Sequence, residues 1–404
     1  MVASIIFVLN ARYFVQTNDS QPVGASSFVS AAARSLKEAG HHIYFVLMRH
    51  DLDLLAPHLD VGDFEETGTI SVGYNFGMNA SEIKAVFQDI EHLVKVELPA
   101  RPAWFWHQSL VFLKFQPPHT PGSVTCHAPF VVEVERTLGN QGAISAFNGG
   151  QSKLDFLRRE QSAGLNSLIR NDELWSWEFS SLQTHLLKSF GVPQHRLLKI
   201  PSHLSSSSFK HVRTTPMCFE SDRPLSAEAT TFFTAAARND GFKALGDLIL
   251  AHDYLIERKI RCCLEIFVGD RENDRARESL NRLVTSEQSK FVSILPRLPQ
   301  DELLRRMTLY ALHRAIFVFP SLYETYGLTA VQASLCGLPV LLRNEESRIG
   351  CLSDLKDAIT FKGGYTNLAK AMTEAQKLSD LPRTTLQDEG NLAAVIQSHL
   401  VLAT

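Results

Sequence analysis

Residues 317–341 read FVFPSLYETYGLTAVQASLCGLPVL. The apolar run at 315–319 has the character of a strand, and Pro320-Ser321 breaks it. A short turn with Glu324 and Gly327 follows. The amphipathic spacing from 328 to 336 predicts a helix, Gly337 closes it, and 339–342 reads as a second strand. A helix start of this kind offers unpaired N–H groups and a partial positive charge. A glycine beside it allows a phosphate or a sugar to approach the backbone. In parallel sheets, ligands bind outside the carboxyl ends of the strands. Chemistry is expected here.

The same alternation runs upstream of this stretch. Strands are predicted at 231–236, 261–268 and 291–295, with helices at 243–258, 274–284 and 300–310. The first half repeats the pattern independently. Residues 4–9 (SIIFVL) do not alternate in polarity, so they read as a parallel strand buried on both faces. Gly24 opens a helix over 25–39, Gly40 closes it, and 42–48 returns as a strand, which completes a βαβ unit. Gly24 is either a site where a ligand approaches or an ordinary helix-start glycine. Further strands are read at 70–74, 103–106, 123–127 and 196–200, with a helix at 80–96 and α/β alternation through 154–171 and 174–189. The serine run 205–208 is the expected linker. The predicted class is therefore α/β, with two doubly wound Rossmann-like domains facing each other across a cleft. The first spans 1–203 and the second 204–388, while a last helix at 389–402 is expected to cross back to the first.

Composition narrows the function classes. A chain of 404 residues exceeds one ordinary core. Net charge is −3, with no long block of like charges, so neither nucleic-acid binding nor a basic membrane arm is suggested. No apolar window is long enough for a membrane-spanning helix, and the amino terminus lacks a basic region typical of a signal peptide. The six cysteines are scattered, and Cys262-Cys263 are adjacent, an awkward pair to bridge. A reduced, soluble, cytoplasmic protein is expected.

The opening stretch resembles the donor-site signature of the GT-B-fold retaining glycosyltransferases of family four, loosely P-S-x-x-E-x-[FY]-G-L-x-x-x-E-A-x-x-x-G-x-P-V. Pro320, Ser321, Glu324, Tyr326, Gly327, Leu328, Ala333, Gly337, Pro339 and Val340 match it. Gln332 stands where the family usually has the second glutamate of its E-x7-E pair. The resemblance implies that Glu324 contacts the donor sugar and that the backbone at Tyr326, Gly327 and Leu328 lines the phosphate and sugar site. Gln332 would face the nucleotide ribose, accepting through its carbonyl without a charge. Upstream, 237–244 (ARNDGFKA) resembles the family's G-R-x4-K-G, with both cations kept and both glycines replaced. The resemblance gives Arg238 and Lys243 the donor diphosphate, whose charge grows as the glycosidic bond breaks. Helix capping or simple solvation is the plainer alternative for these two cations.

In the first half, His107 and His127 resemble two strand-end histidines of the family, the second of which lies near the transferred sugar and the acceptor. Structural hydrogen bonding is the plainer role for a lone strand-end histidine. Gly24, His107 and His127 are the expected acceptor-side residues. The family's I-P-N-G-V-D stretch has drifted here to Ile200-Pro201-Ser202-His203-Leu204, so its contacts do not carry over. The aromatic cluster Trp104, Phe105, Trp106, Phe112 and Phe115 could face an apolar acceptor or a membrane surface, although core packing accounts for it more simply. There is no Cys-x2-Cys pair, zinc-protease helix, Walker motif or nucleophile elbow.

What the resemblance implies is a retaining, metal-independent transfer of a sugar from a nucleotide-diphosphate donor, uridine favoured, to a hydroxyl acceptor of unknown class. No cofactor is expected, and a peripheral membrane contact stays open. A second reading is a catalytically degenerate relative that binds a nucleotide or a protein partner. A third is another chemistry on the same scaffold, an epimerase or a phosphorylase.

Overall fold

The computed structural model describes residues 3–11, 24–62, 64–97, 102–106, 110–117, 121–127, 129–147, 150–200, 229–269, 275–344, 348–355 and 357–377. The chain forms two compact units. The first takes in Met1–Thr137 and Gln151–His203, the second Leu138–Gly150 and Leu204–Glu389. The expected linker at 205–208, the helix at 389–402 and His107 fall outside the described residues.

The first unit is built on an eight-stranded sheet. Its strands are β1 (Ser4–Asn10), β2 (His42–His50), β3 (His58–Asp60), β4 (Thr69–Tyr74), β5 (Ala103–Trp106), β6 (Gly122–Thr125), β7 (Leu174–Glu178) and β8 (Leu197–Lys199). They lie in the order β3-β4-β2-β1-β5-β6-β7-β8, and every pairing is parallel except that of β3 with β4. The helices are α1 (Gly24–Glu38), α2 (Phe64–Thr67), α3 (Ala80–Glu97), α4 (Leu110–Leu113), α5 (Val131–Phe147), α6 (Gly150–Arg170) and α7 (Ser181–Ser189). β1 is buried over Ser4–Leu9, as its non-alternating sequence requires. The aromatic cluster is core: Trp104, Phe105, Trp106, Phe112 and Phe115 are all buried. Each indole N–H has a buried acceptor, Glu91 for Trp104 and Gln116 for Trp106. Such pairing lets a tryptophan enter a core without stranding its donor. The buried Arg196 guanidinium donates to the carbonyls of Leu168, Ile169 and Asn171, which supplies partners to the carboxyl end of α6.

The second unit is built on a six-stranded sheet in the order β11-β10-β9-β12-β13-β14, all parallel. Its strands are β9 (Thr230–Ala236), β10 (Cys262–Val268), β11 (Val292–Leu295), β12 (Ile316–Phe319), β13 (Val340–Arg343) and β14 (Ile359–Phe361). The helices are α8 (Leu245–Glu257), α9 (Arg275–Asn281), α10 (Gln300–Leu312), α11 (Leu328–Leu335) and α12 (Tyr365–Lys377). Phe232, Leu264, Ile266, Val318 and Leu341 from the central strands form its core with Leu248, Leu368 and Met372. The strand order reverses between β9 and β12, so the loops leaving these two strands flank the point where such sheets bind ligands.

Residues 138–150 lie inside the range expected for the first domain, yet they group with the second unit. The cause is local. Gly139 takes φ 71° and ψ 171° within α5, outside helical space. Beyond that kink the helix end meets the loop after β9. Phe147 packs edge-on against Phe242 at 5.4 Å, and a Cβ added to Gly241 would sit 3.4 Å from the Ala146 backbone.

Candidate functional site

The loop after β9 carries both expected cations, and its geometry is set by Asp240. The Asp240 Oδ1 accepts the Phe242 N–H at 3.1 Å, and its carbonyl accepts the Lys243 N–H at 3.1 Å. Arg238 Nη2 lies 3.1 Å from Asp240 Oδ2, with the arginine 67% exposed and the aspartate side chain 1% exposed. Ala244 then takes φ 47° and ψ 36° as the residue before α8. This is the left-handed conformation that glycine adopts without strain. The backbone that the family's glycine would allow is thus present without the glycine, and α8 starts at Leu245 instead of the expected Lys243.

The loop after β12 carries Glu324. Its N–H donates to the Arg348 carbonyl at 3.1 Å and its carbonyl accepts the Gly350 N–H at 2.9 Å. This short parallel bridge pins the glutamate backbone while its carboxylate pairs with the Lys243 ammonium. Lys243 also lies over the Phe319 ring, 5.9 Å from its centroid. A backbone bond from the Leu322 N–H to the Phe242 carbonyl, 2.8 Å long, ties the two loops together.

The amino end of α11 is the third wall. Gly327 has φ 95°, and an added Cβ would come within 2.8 Å of the Cys351 sulfur and 3.5 Å of the Phe319 ring. Both the backbone conformation and the space exclude larger residues. At the far end, the Gly337 N–H reaches the Ser334 carbonyl and the Leu338 N–H reaches the Ala333 carbonyl, a Schellman closure around a glycine at φ 88°. That closure ends the helix and turns the chain into β13. Tyr326 is buried, Leu328 half-buried, and Gln332 buried on the helix.

Arg238, Lys243, Glu324, Tyr326, Gly327, Leu328 and Gln332 therefore all lie in the second unit, on two loops and the helix α11. In the first unit, Gly24 is the first residue of α1, which follows β1, and β1 and β5 flank the reversal of that sheet. His127 follows β6, with its ring 4.6 Å from Phe179 and 6.0 Å from Phe28. Asp240 and Cys351 were not picked out from the sequence. Asp240 carried a signal, a carboxylate set between two cations, whereas nothing in the sequence marked Cys351 as the residue packed against Gly327. Among the described residues, no group of three or more His, Cys, Asp or Glu side chains is placed to hold a metal ion, and no helix is long and apolar enough to cross a membrane.

Residues 222–387 match the family model of the glycosyl transferases group 1. That segment is similar to the glycosyl transferases group 1. The fold of the whole chain is similar to that of a glycosyltransferase from Rickettsia africae, with a TM-score of 0.65 at 13% identity, covering 100% of this chain and 98% of that one. It is also similar to a sucrose-phosphate synthase from Thermosynechococcus elongatus, with a TM-score of 0.63 at 14% identity over 99% and 96% of the two chains. A UDP-forming α,α-trehalose-phosphate synthase from Burkholderia vietnamiensis gives a TM-score of 0.64 at 11% identity over 100% and 94%. No curated protein matches the sequence significantly. The fold is GT-B, as in these glycosyltransferase structures.

Proposed function

We propose that this protein transfers a sugar from a nucleotide-diphosphate donor to an acceptor hydroxyl with retention of anomeric configuration. The observation that carries the reading is the junction after β9 and β12, where Lys243 and Glu324 meet beside the amino end of α11. In this reading the donor diphosphate lies against Arg238 and Lys243, with the backbone of Tyr326, Gly327 and Leu328 at its side. Glu324 holds the sugar hydroxyls and Gln332 faces the ribose. The bond from the anomeric carbon to the diphosphate breaks while a bond to the acceptor oxygen forms on the same face. The acceptor proton passes to the leaving phosphate oxygen. Two fixed cations stabilise the charge that develops on the diphosphate, without a metal ion or a cofactor. Gly24, His107 and His127 are assigned to the acceptor side, with His127 nearest the transferred sugar. Uridine is the favoured base, supported by the resemblance and by the UDP-forming neighbour. The cytoplasm is the proposed location.

Titration with UDP, GDP and ADP is expected to show saturable binding of at least one, weakened but still measurable in Arg238→Ala. Absence of binding to all three sinks the donor site. Gln332, in place of a glutamate, favours a second reading, a relative that binds a nucleotide without transfer. A donor-hydrolysis panel decides between the two, since slow hydrolysis needs no knowledge of the acceptor.

A further inference from the structure

Asp240 sits between the two cations of the loop after β9, and its side chain is 1% exposed. It closes a turn on the Phe242 N–H, and the Phe242 carbonyl in turn holds the loop after β12 through Leu322. Asparagine closes the same turn as well as aspartate does. A buried carboxylate is much more costly than a buried amide, so the turn alone does not account for the charge. What asparagine cannot supply is an anionic partner for a guanidinium. Arg238 provides the other half: its side chain is 67% exposed, and its Nη2 lies 3.1 Å from the buried Asp240 Oδ2, an ion-pair contact that does not take hydrogen-bond geometry. An exposed arginine loses much rotamer freedom when a ligand fixes it, and a partner that fixes it beforehand removes that loss from binding.

Resting on the nucleotide-sugar reading of this site, we propose that Asp240 is a positioning residue whose buried charge holds the Arg238 guanidinium where its N–H groups meet the donor diphosphate. The groups facing Asp240 are Arg238 and Lys243 from its own loop and Glu324 from the loop after β12, while residues 138–150 bring apolar Ala146 and Phe147 to the neighbouring Gly241 and Phe242. Burial raises the Asp240 carboxyl above the usual aspartate range and Glu324 adds to this, whereas the two cations and the Phe242 N–H oppose it. The hold on Arg238 is therefore lost as pH falls through that raised value.

The test compares wild type with Asp240→Asn, which keeps the turn acceptor and removes the charge. Calorimetric titration uses whichever of UDP, GDP or ADP binds tightest, together with its free nucleoside. The diphosphate Kd is expected to rise by about fivefold, the scale of one partly exposed ion pair, with the nucleoside Kd unchanged. The ratio of variant to wild-type Kd should fall toward one on the acid side, a comparison in which protonation of the ligand cancels. In an Arg238→Ala background, Asp240→Asn should change nothing further. Unchanged or tighter diphosphate binding by Asp240→Asn overturns the proposal and leaves the donor site standing, as does a ratio independent of pH. Wild type that binds none of the three diphosphates overturns both. If Asp240→Asn fails to fold, the wild-type measurement carries the test. Its diphosphate affinity, divided by that of Arg238→Ala, must fall with acid, and a flat ratio overturns the proposal.

Discussion

Lys243 and Glu324 stand 81 residues apart in the chain and pair directly, ammonium to carboxylate, beside the point where the second sheet reverses its strand order. Each side chain keeps 19% of its surface exposed, so the pair is neither a screened surface contact nor a fully desolvated one. A double-mutant cycle with Lys243→Ala and Glu324→Ala, read by urea unfolding, is expected to give a coupling of about 1 kcal/mol. In nucleotide titrations Lys243→Ala should raise the diphosphate Kd by at least about tenfold, or about 1.4 kcal/mol. Free nucleoside should bind as before.

Gly327→Ala tests the wall at the start of α11. The backbone is left-handed at φ 95°, and the new methyl meets the Cys351 sulfur at 2.8 Å. Strain and overpacking together should cost about 2–4 kcal/mol in urea unfolding. Adding Cys351→Ala removes the sulfur and should restore part of that loss. The part due to φ should remain.

Ala244→Gly works in the opposite direction. Ala244 holds φ 47° because the loop requires it, and the Cβ is under strain there. Relief of that strain, less the extra freedom of glycine in the unfolded chain, should stabilise the protein by up to about 1 kcal/mol. Differential scanning calorimetry should register a higher Tm.

Glu178 makes a pH prediction in the first unit. Its side chain is buried at the end of β7, and burial raises its carboxyl from 4.5 to about 7. Ser176 and Thr184 oppose this by favouring the charged form. Neither places a hydrogen bond of good geometry on the carboxylate oxygens, and the Thr184 hydroxyl donates to the Ser180 carbonyl at 3.3 Å. Between pH 4.5 and 7 the folded state keeps a proton that the unfolded chain releases, so stability falls as pH rises through this window. Glu178→Gln removes that slope. Its advantage over wild type should be small near pH 4.5 and reach about 3 kcal/mol at pH 8, measured by urea unfolding at each pH.

Much of the second unit was legible because its elements are punctuated. Pro320 ends β12, Gly327 starts α11 and Gly337 closes it, and each of these residues has a conformational reason to be there. The two cations of the 237–244 loop were also legible, since their spacing survives although both flanking glycines are gone. The left-handed Ala244 was not, because nothing about an alanine advertises a positive φ. Burial of Asp240 was hidden for a related reason: a polar loop residue normally reads as solvated, and only the fold packs the end of α5 against the neighbouring Gly241 and Phe242. The helix α5 itself and the short strands β3 and β14 were missed. Three-residue strands hold no periodicity to detect, and α5 is interrupted by Gly139.

The membership of residues 138–150 in the second unit has a consequence for how the protein is made. Synthesis runs from the amino terminus, so Ala146 and Phe147 leave the ribosome well before Phe242 exists. The sheet of the first unit, β1 to β8, is complete by residue 199, while this short segment still lacks its partners. Until the loop after β9 has emerged, the Phe147 ring has no Phe242 to pack against. A polypeptide beginning at residue 204 would never receive that packing at all. The donor loop is thus finished by a piece of chain made about a hundred residues earlier, and the two halves of this protein are not interchangeable cassettes.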